Sequence, residues 1–148
     1  LMIFDSSAHQ LAEEDLNIYL EKTFNVLTKE FSNKVGYYAK DGINYETIIA
    51  RQDDPEINLA GIGLDSNIDL REYFTKTTNG FVQGNFSENF LTLPHQEFLP
   101  KLDVFINQMS GLAPEDRAGW VCGLGHGVLK TTPQENVKEF VKKVRESF

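Results

Sequence analysis

The strongest constraint on this chain is an alternation of two kinds of apolar pattern. Short apolar runs occupy residues 1–4, 35–39, 59–64, 80–82 and 120–124. Between them lie longer stretches whose apolar residues recur three or four apart, over 11–31, 43–51 and 68–76. A fourth such stretch opens at Pro94, with Phe98, Leu102, Phe105, Ile106 and Met109 on one face. A fifth opens at Thr132-Pro133-Gln134-Glu135 and carries Val137, Phe140, Val141 and Val144. Short runs suit strands and the 3.6-residue period suits helices. Strand–helix alternation repeated five times calls for parallel strands joined by crossovers, an α/β fold. Two closures satisfy that pattern: an open doubly wound sheet, or part of a (β/α)₈ barrel. Closing such a barrel takes about 250 residues, and this chain has 148.

Local signals sharpen the boundaries. Glu13, Glu14 and Asp15 precede Lys22 and Lys29 in the first helical stretch, an order that complements the helix dipole. Asp53-Asp54-Pro55 breaks the second. Thr132 is read as an N-cap, Pro133 as the first helical residue and Glu135 as the capping-box partner. The opening Leu-Met-Ile-Phe-Asp reads as a strand already under way, as in a piece of a longer chain.

Composition excludes several classes. Apolar residues make up 41% and charged residues 24%, ordinary for a globular domain. The net charge of −8 disfavours nucleic-acid binding, which needs clustered Lys and Arg. No run approaches the ~20 apolar residues of a membrane span, and no signal-peptide pattern is visible. Cys122 is the single cysteine, in keeping with a reducing compartment. The chain is therefore read as cytoplasmic, without nucleic-acid or membrane partners.

The residues just after each apolar run carry the functional signal. Asp5-Ser6, Lys40-Asp41, Asp65-Ser66, Gln83-Gly84-Asn85 and Gly125-His126-Gly127 each sit where a strand is expected to end. Parallel strands bring those ends to one face, the ligand face of either closure. Ser6, Lys40, Asp41, Asp65, Gln83, Asn85 and His126 are thus expected to ring one mouth. Polar residues also end strands and cap helices for purely structural reasons, and Asp65 is the foremost candidate for that role, as a buried acid holding loop amides. His126 is the strongest functional candidate, because its flanking glycines allow close approach by a ligand. Ser6 lacks the Gly-x-Ser-x-Gly elbow of a hydrolase nucleophile. Cys122 reads as a small core residue, and His9 and His95 as surface or capping groups.

These segments resemble one family in order along the chain. Ile3-Phe4-Asp5-Ser6-x-Ala8, Ala39-Lys40-Asp41-Gly42, Gly63-Leu64-Asp65 and Val82-Gln83-Gly84-Asn85 are each similar to a segment of uroporphyrinogen decarboxylases. Leu124-Gly125-His126-Gly127-Val128 followed by Thr132-Pro133-x-Glu135-Asn136-Val137 resembles the family's final strand, loop and helix. The resemblance implies about five βα units of a TIM (β/α)₈ barrel with parallel strands, residues 1–148 being its C-terminal part and the barrel incomplete in this chain. It implies cofactor-free decarboxylation of the four acetate side chains of uroporphyrinogen III to coproporphyrinogen III, in porphyrin and heme biosynthesis. It assigns Ser6 and His126 to substrate binding, no metal, and a tetrapyrrole as ligand. The family's arginines, its aspartate and its tyrosine have no matching positions here, so the catalytic residues stay unassigned and the isolated chain is expected to be inactive. Members form homodimers, so a homodimer or a barrel-completing chain is the expected partner. Three departures stand out: Ser66 where the family usually has Trp, Ser87-Glu88 for Asp-Pro, and His9 for Gly. The alternatives are a non-catalytic half-barrel that pairs with another chain, and a relative of the zinc-dependent corrinoid methyltransferases. Ala39, Asp41 and His126 replace the latter's metal-binding pattern.

Overall fold

A computed structural model of the chain describes residues 1–40, 45–76 and 79–148. Five strands form a single sheet: β1 (Met2–Asp5), β2 (Gly36–Ala39), β3 (Gly61–Gly63), β4 (Phe81–Phe86) and β5 (Trp120–Leu124). Helices α1 (Glu13–Phe31), α2 (Tyr45–Gln52), α3 (Leu70–Lys76), α4 (His95–Ser110) and α5 (Gln134–Ser147) alternate with them. Every strand pairing is parallel, and the order in the sheet is β1-β2-β3-β4-β5. A doubly wound sheet reverses its strand order at a switch point. Here spatial order equals chain order, as in consecutive units of a (β/α)₈ barrel.

The two faces of the sheet differ in the way that choice requires. Tyr37, Ala39, Ile62, Leu64 and Val82 point to the helices and are buried with Leu16, Leu20 and Phe24 of α1 and Ile48 of α2. The Phe24 ring meets Tyr37 edge-on at 5.0 Å. Burying a ring of that size contributes about 2–3 kcal/mol. A second cluster joins Phe86 to Phe98, Leu102 and Ile106 of α4 and Phe140 of α5. The opposite face carries the register-matched row Phe4, Tyr38, Gly63, Gln83 and Val121. Phe4 is 66% and Val121 48% exposed there. Large and small residues interlock along this inner face. A Cβ on Gly61 would lie 2.5 Å from the Phe81 ring, and one on Gly63 would lie 2.9 Å from the Tyr38 ring. Among the described residues no helix is long and apolar enough to cross a membrane.

Three local expectations need correction. The run at 80–82 is only the start of β4, which continues through Gln83, Gly84 and Asn85 to Phe86. Those polar residues lie within the strand: Gln83 faces a cavity on the inner side of the sheet, and Asn85 is buried against the loop after β3. The run at 59–64 shortens to three residues of strand. The capping box at Thr132 does not form. Pro133 is extended (φ −63°, ψ 132°), and its carbonyl accepts from the Asn136 and Val137 amides. The helix therefore starts one residue late, and among the described residues Thr132 Oγ1 is buried without a partner. Asn136 explains the shift. Its side chain is fully buried and donates to the Leu91 and Leu93 carbonyls, both at 2.9 Å, while His95 Nδ1 stands 2.7 Å from its Oδ1. His95, read as a surface or capping group, thus helps fasten α5 to the start of α4.

Candidate functional site

A cavity of about 400 Å³ opens at the C-terminal ends of the strands. Its floor is the inner-face row of Phe4, Tyr38, Gly63 and Gln83, and its rim includes Ser6, Lys40 and His126. Four of the seven residues expected at the mouth are therefore brought together: Ser6, Lys40, Gln83 and His126. Asp41 lies outside the described residues. Asp65 and Asn85 are drawn away from the cavity.

The reason for each placement is local. Asp5 ends β1 with its carboxylate on the helix side, where Oδ1 accepts from the Ser7 and Ala8 amides, both at 2.9 Å. Oδ2 accepts from the Tyr19 hydroxyl at 2.6 Å and the Tyr37 hydroxyl at 3.0 Å. Burial pushes the Asp5 pKa up, but the bonds from Tyr19, the Ser7 amide, Tyr37 and the Ala8 amide outweigh it and hold the carboxyl below its ordinary range. Fixing the two following amides fixes the loop that carries Ser6 to the rim. Asp65 repeats the device after β3. Its Oδ1 accepts from the Asn67 amide at 2.8 Å, and Tyr45 contacts its Oδ2 at 3.2 Å. Burial above all, and then the Asp65 charge, push the Tyr45 hydroxyl pKa up. Asp65 is thus a buried acid whose carboxylate holds one loop amide, in the structural role the sequence suggests. Asn85 Nδ2 donates to the Asp65 and Ile68 carbonyls, both at 2.7 Å, and so ties that same loop to β4.

His126 is held from across the sheet. The Tyr38 hydroxyl donates to the Gly125 carbonyl at 2.8 Å, spanning from β2 to the loop after β5. His126 Nδ1 stands 3.2 Å from the Gly127 carbonyl. A carbonyl only accepts, so that contact places a hydrogen on Nδ1. Gly125 does not serve as expected. A Cβ on Gly125 would lie 2.4 Å from the Ser66 amide nitrogen, so Gly125 admits the neighbouring loop rather than a ligand. Gly127 has nothing within 4 Å of that position.

Asp5 and Tyr38 organise the site without belonging to the set expected at its mouth. The Asp-x-Ser spacing of an Asx turn signals the first. Nothing local signals the second, since its partner is 87 residues away.

The chemistry of the cavity is set by its lining. Met2, Phe4, Leu124 and Val128 supply apolar wall, and the Ser6 hydroxyl, Lys40 ammonium, Gln83 amide and His126 ring supply hydrogen-bond donors. Lys40 is the one Lys or Arg among the described lining residues. Donors set around an apolar floor suit a ligand with an apolar body and peripheral carboxylates. Cys122 lies outside this lining; it is partly buried in β5, and burial pushes its thiol pKa up to about 12, which suits a core residue and not a nucleophile. Among the described residues, no three His, Cys, Asp or Glu side chains gather in a way that could hold a metal ion.

Comparison with known proteins gives this geometry a family. The family model described as uroporphyrinogen decarboxylase (URO-D) matches residues 1–147. A uroporphyrinogen decarboxylase of Orientia tsutsugamushi (strain Ikeda) is 28% identical over 151 aligned positions, covering 98% of this chain and 41% of the relative. One of Prochlorococcus marinus (strain MIT 9515) is 25% identical, covering 95% of this chain and 39% of the relative. One of Chlamydia muridarum is 34% identical over 80 residues, 53% of this chain and 22% of the relative. The chain thus spans about two-fifths of the length of the curated relatives it matches along its whole length. With five parallel βα units in sequential order and a family match running from end to end, the chain belongs to the uroporphyrinogen decarboxylase family.

Proposed function

We propose that this chain forms the Ser6 and His126 side of the tetrapyrrole site of a uroporphyrinogen decarboxylase. In this reading its natural polypeptide converts uroporphyrinogen III to coproporphyrinogen III without a cofactor. The observation that carries the proposal is the joint placement of Ser6, Lys40, Gln83 and His126 on one apolar-floored cavity at the strand ends. Loss of CO₂ from an acetate arm leaves an electron pair on the arm's methylene carbon. Protonation of the pyrrole ring creates the cation that accepts that pair as the C–C bond breaks. A second proton delivered to the methylene carbon, with loss of the first from the ring, leaves a methyl group. Ser6 and His126 are assigned to hydrogen-bonding the side-chain carboxylates, with Lys40 adding positive charge at the rim. His126 is also assigned to passing a proton, a role that suits imidazole. The net charge of −8 repels a polyanionic substrate, so capture requires a local basic surface. On the family's pattern the remaining βα units and their arginines supply it, whether in the same polypeptide or a partner chain, within a cytoplasmic homodimer.

The test is an anaerobic uroporphyrinogen III assay on the natural polypeptide that carries this sequence, with products oxidised and separated by the number of acid arms they retain. Coproporphyrinogen is the expected product, and His126→Ala is expected to lower kcat/KM by about tenfold or more, the worth of one charge-assisted hydrogen bond. A folded wild-type polypeptide that forms no coproporphyrinogen refutes the proposal.

A further inference from the structure

A second cavity, of about 380 Å³, shares no lining residue with the first. It lies between the segment after β3 and helix α4, beyond the end of β4. Phe86, Phe90 and Phe105 give it an aromatic wall, and the Phe86 ring centroid stands 5.8 Å from Phe90 and 5.3 Å from Phe105. Val104, 56% exposed, extends the apolar surface to the rim.

Two polar groups on the lining can meet a ligand. Lys101 Nζ sits 5.3 Å from the Phe90 centroid, and among the described residues it forms no ion pair. The rim acid Asp69 is engaged by Arg71 at 3.4 Å. Asn85 is more than nine-tenths buried, and its Nδ2 is used twice, by the Asp65 and Ile68 carbonyls. Its Oδ1 accepts no hydrogen bond among the described residues. It is an acceptor open to a donor that a ligand brings. The volume falls within the usual range for small-molecule sites.

We propose that this cavity binds a small phenolic carboxylate. Its ring lies against Phe86, Phe90 and Phe105, its carboxylate pairs with Lys101, and its hydroxyl donates to Asn85 Oδ1. The site is independent of the decarboxylase reading, and its test uses no turnover.

The probe is 4-hydroxyphenylacetate, titrated into the 148-residue chain and followed by amide chemical shifts. Saturable shifts at residues around Phe86, Phe90 and Lys101 are expected below about 10 mM, an ordinary affinity for so small a ligand. The matching alcohol, which lacks the carboxylate, is expected to bind about tenfold more weakly. Lys101→Glu is expected to erase that preference. Ser66→Trp fills the cavity with the residue the family motif carries, and is expected to abolish the shifts while thermal melting by circular dichroism stays cooperative. An absence of shifts in the wild-type chain overturns the proposal. So does binding unchanged by Ser66→Trp, or a response confined to Ser6, Lys40 and His126. If Ser66→Trp fails to melt cooperatively, the exposed Lys101→Glu variant decides, and an undiminished preference for the acid overturns the proposal.

Discussion

Removing the Asp5 carboxylate is expected to cost about 3 kcal/mol of stability, and the cost can be built from its four bonds. Asp5→Ala strands the Tyr37 hydroxyl and the Ala8 amide, both in buried residues at 0% and 2% exposure. A stranded buried donor costs about 1–3 kcal/mol. Tyr19, at 36% exposure, and the exposed Ser7 amide turn to water and add little. Releasing the carboxylate from its own burial returns part of the loss, leaving the net near ~3 kcal/mol. Asp5→Asn keeps the shape and loses the charge, at about 1 kcal/mol. The pH dependence has a definite sign. The folded pKa lies below the ordinary 3.8, so the contribution is fully present above that value. It is lost as pH falls below 3.8 and through the folded pKa, because the unfolded chain takes up the proton first. Urea unfolding followed by circular dichroism at pH 7 and pH 3 measures both effects. The gap between wild type and Asp5→Asn is expected to narrow at pH 3. Adding Tyr37→Phe to Asp5→Ala removes the stranded hydroxyl and is expected to recover about 1 kcal/mol. An Asp5→Ala variant within about 0.5 kcal/mol of wild type, or a gap to Asp5→Asn that is equal at the two pH values, refutes the reasoning.

The two glycines beside His126 are expected to behave oppositely. Gly125→Ala drives a methyl to 2.4 Å from the Ser66 backbone nitrogen and is expected to cost about 2 kcal/mol or more, whereas Gly127→Ala meets open space and is expected to stay within about 0.5 kcal/mol of wild type in the same unfolding assay. Asn136→Ala leaves the Leu91 and Leu93 carbonyls and His95 without their partner, and is expected to lower stability by about 2–4 kcal/mol and to speed hydrogen exchange through α5.

The strands were legible because each is a short apolar run between longer periodic ones, and β5 falls where its run falls, at Trp120–Leu124. The family was legible in five ordered motifs. What stayed hidden depends on contacts between distant residues. Gln83 and Asn85 read as loop residues since polarity ends most strands, yet here one faces a cavity and the other bonds two carbonyls of the loop after β3. The Thr132 cap failed because Asn136, three residues after Pro133, is claimed by a loop more than forty residues earlier in the chain. Of the seven residues expected at the mouth, Asp65 and Asn85 serve the scaffold for the same reason: a buried polar group must find its partners wherever they lie.

The sequential strand order has a consequence for how the molecule comes to be assembled. Each strand pairs with the strand just before it in the chain, so every βα unit finds its docking edge already in place as the chain emerges. Pairings of that kind let structure accrete unit by unit along the chain. The hydrogen bond from Tyr38 to Gly125 breaks this pattern, joining residues 87 positions apart. It forms only when β5 has docked, and with it the loop bearing His126 takes its place. The His126 side of the mouth therefore depends on a contact that the rest of the sheet does not need, and a chain interrupted before residue 125 is expected to keep the Ser6, Lys40 and Gln83 side alone.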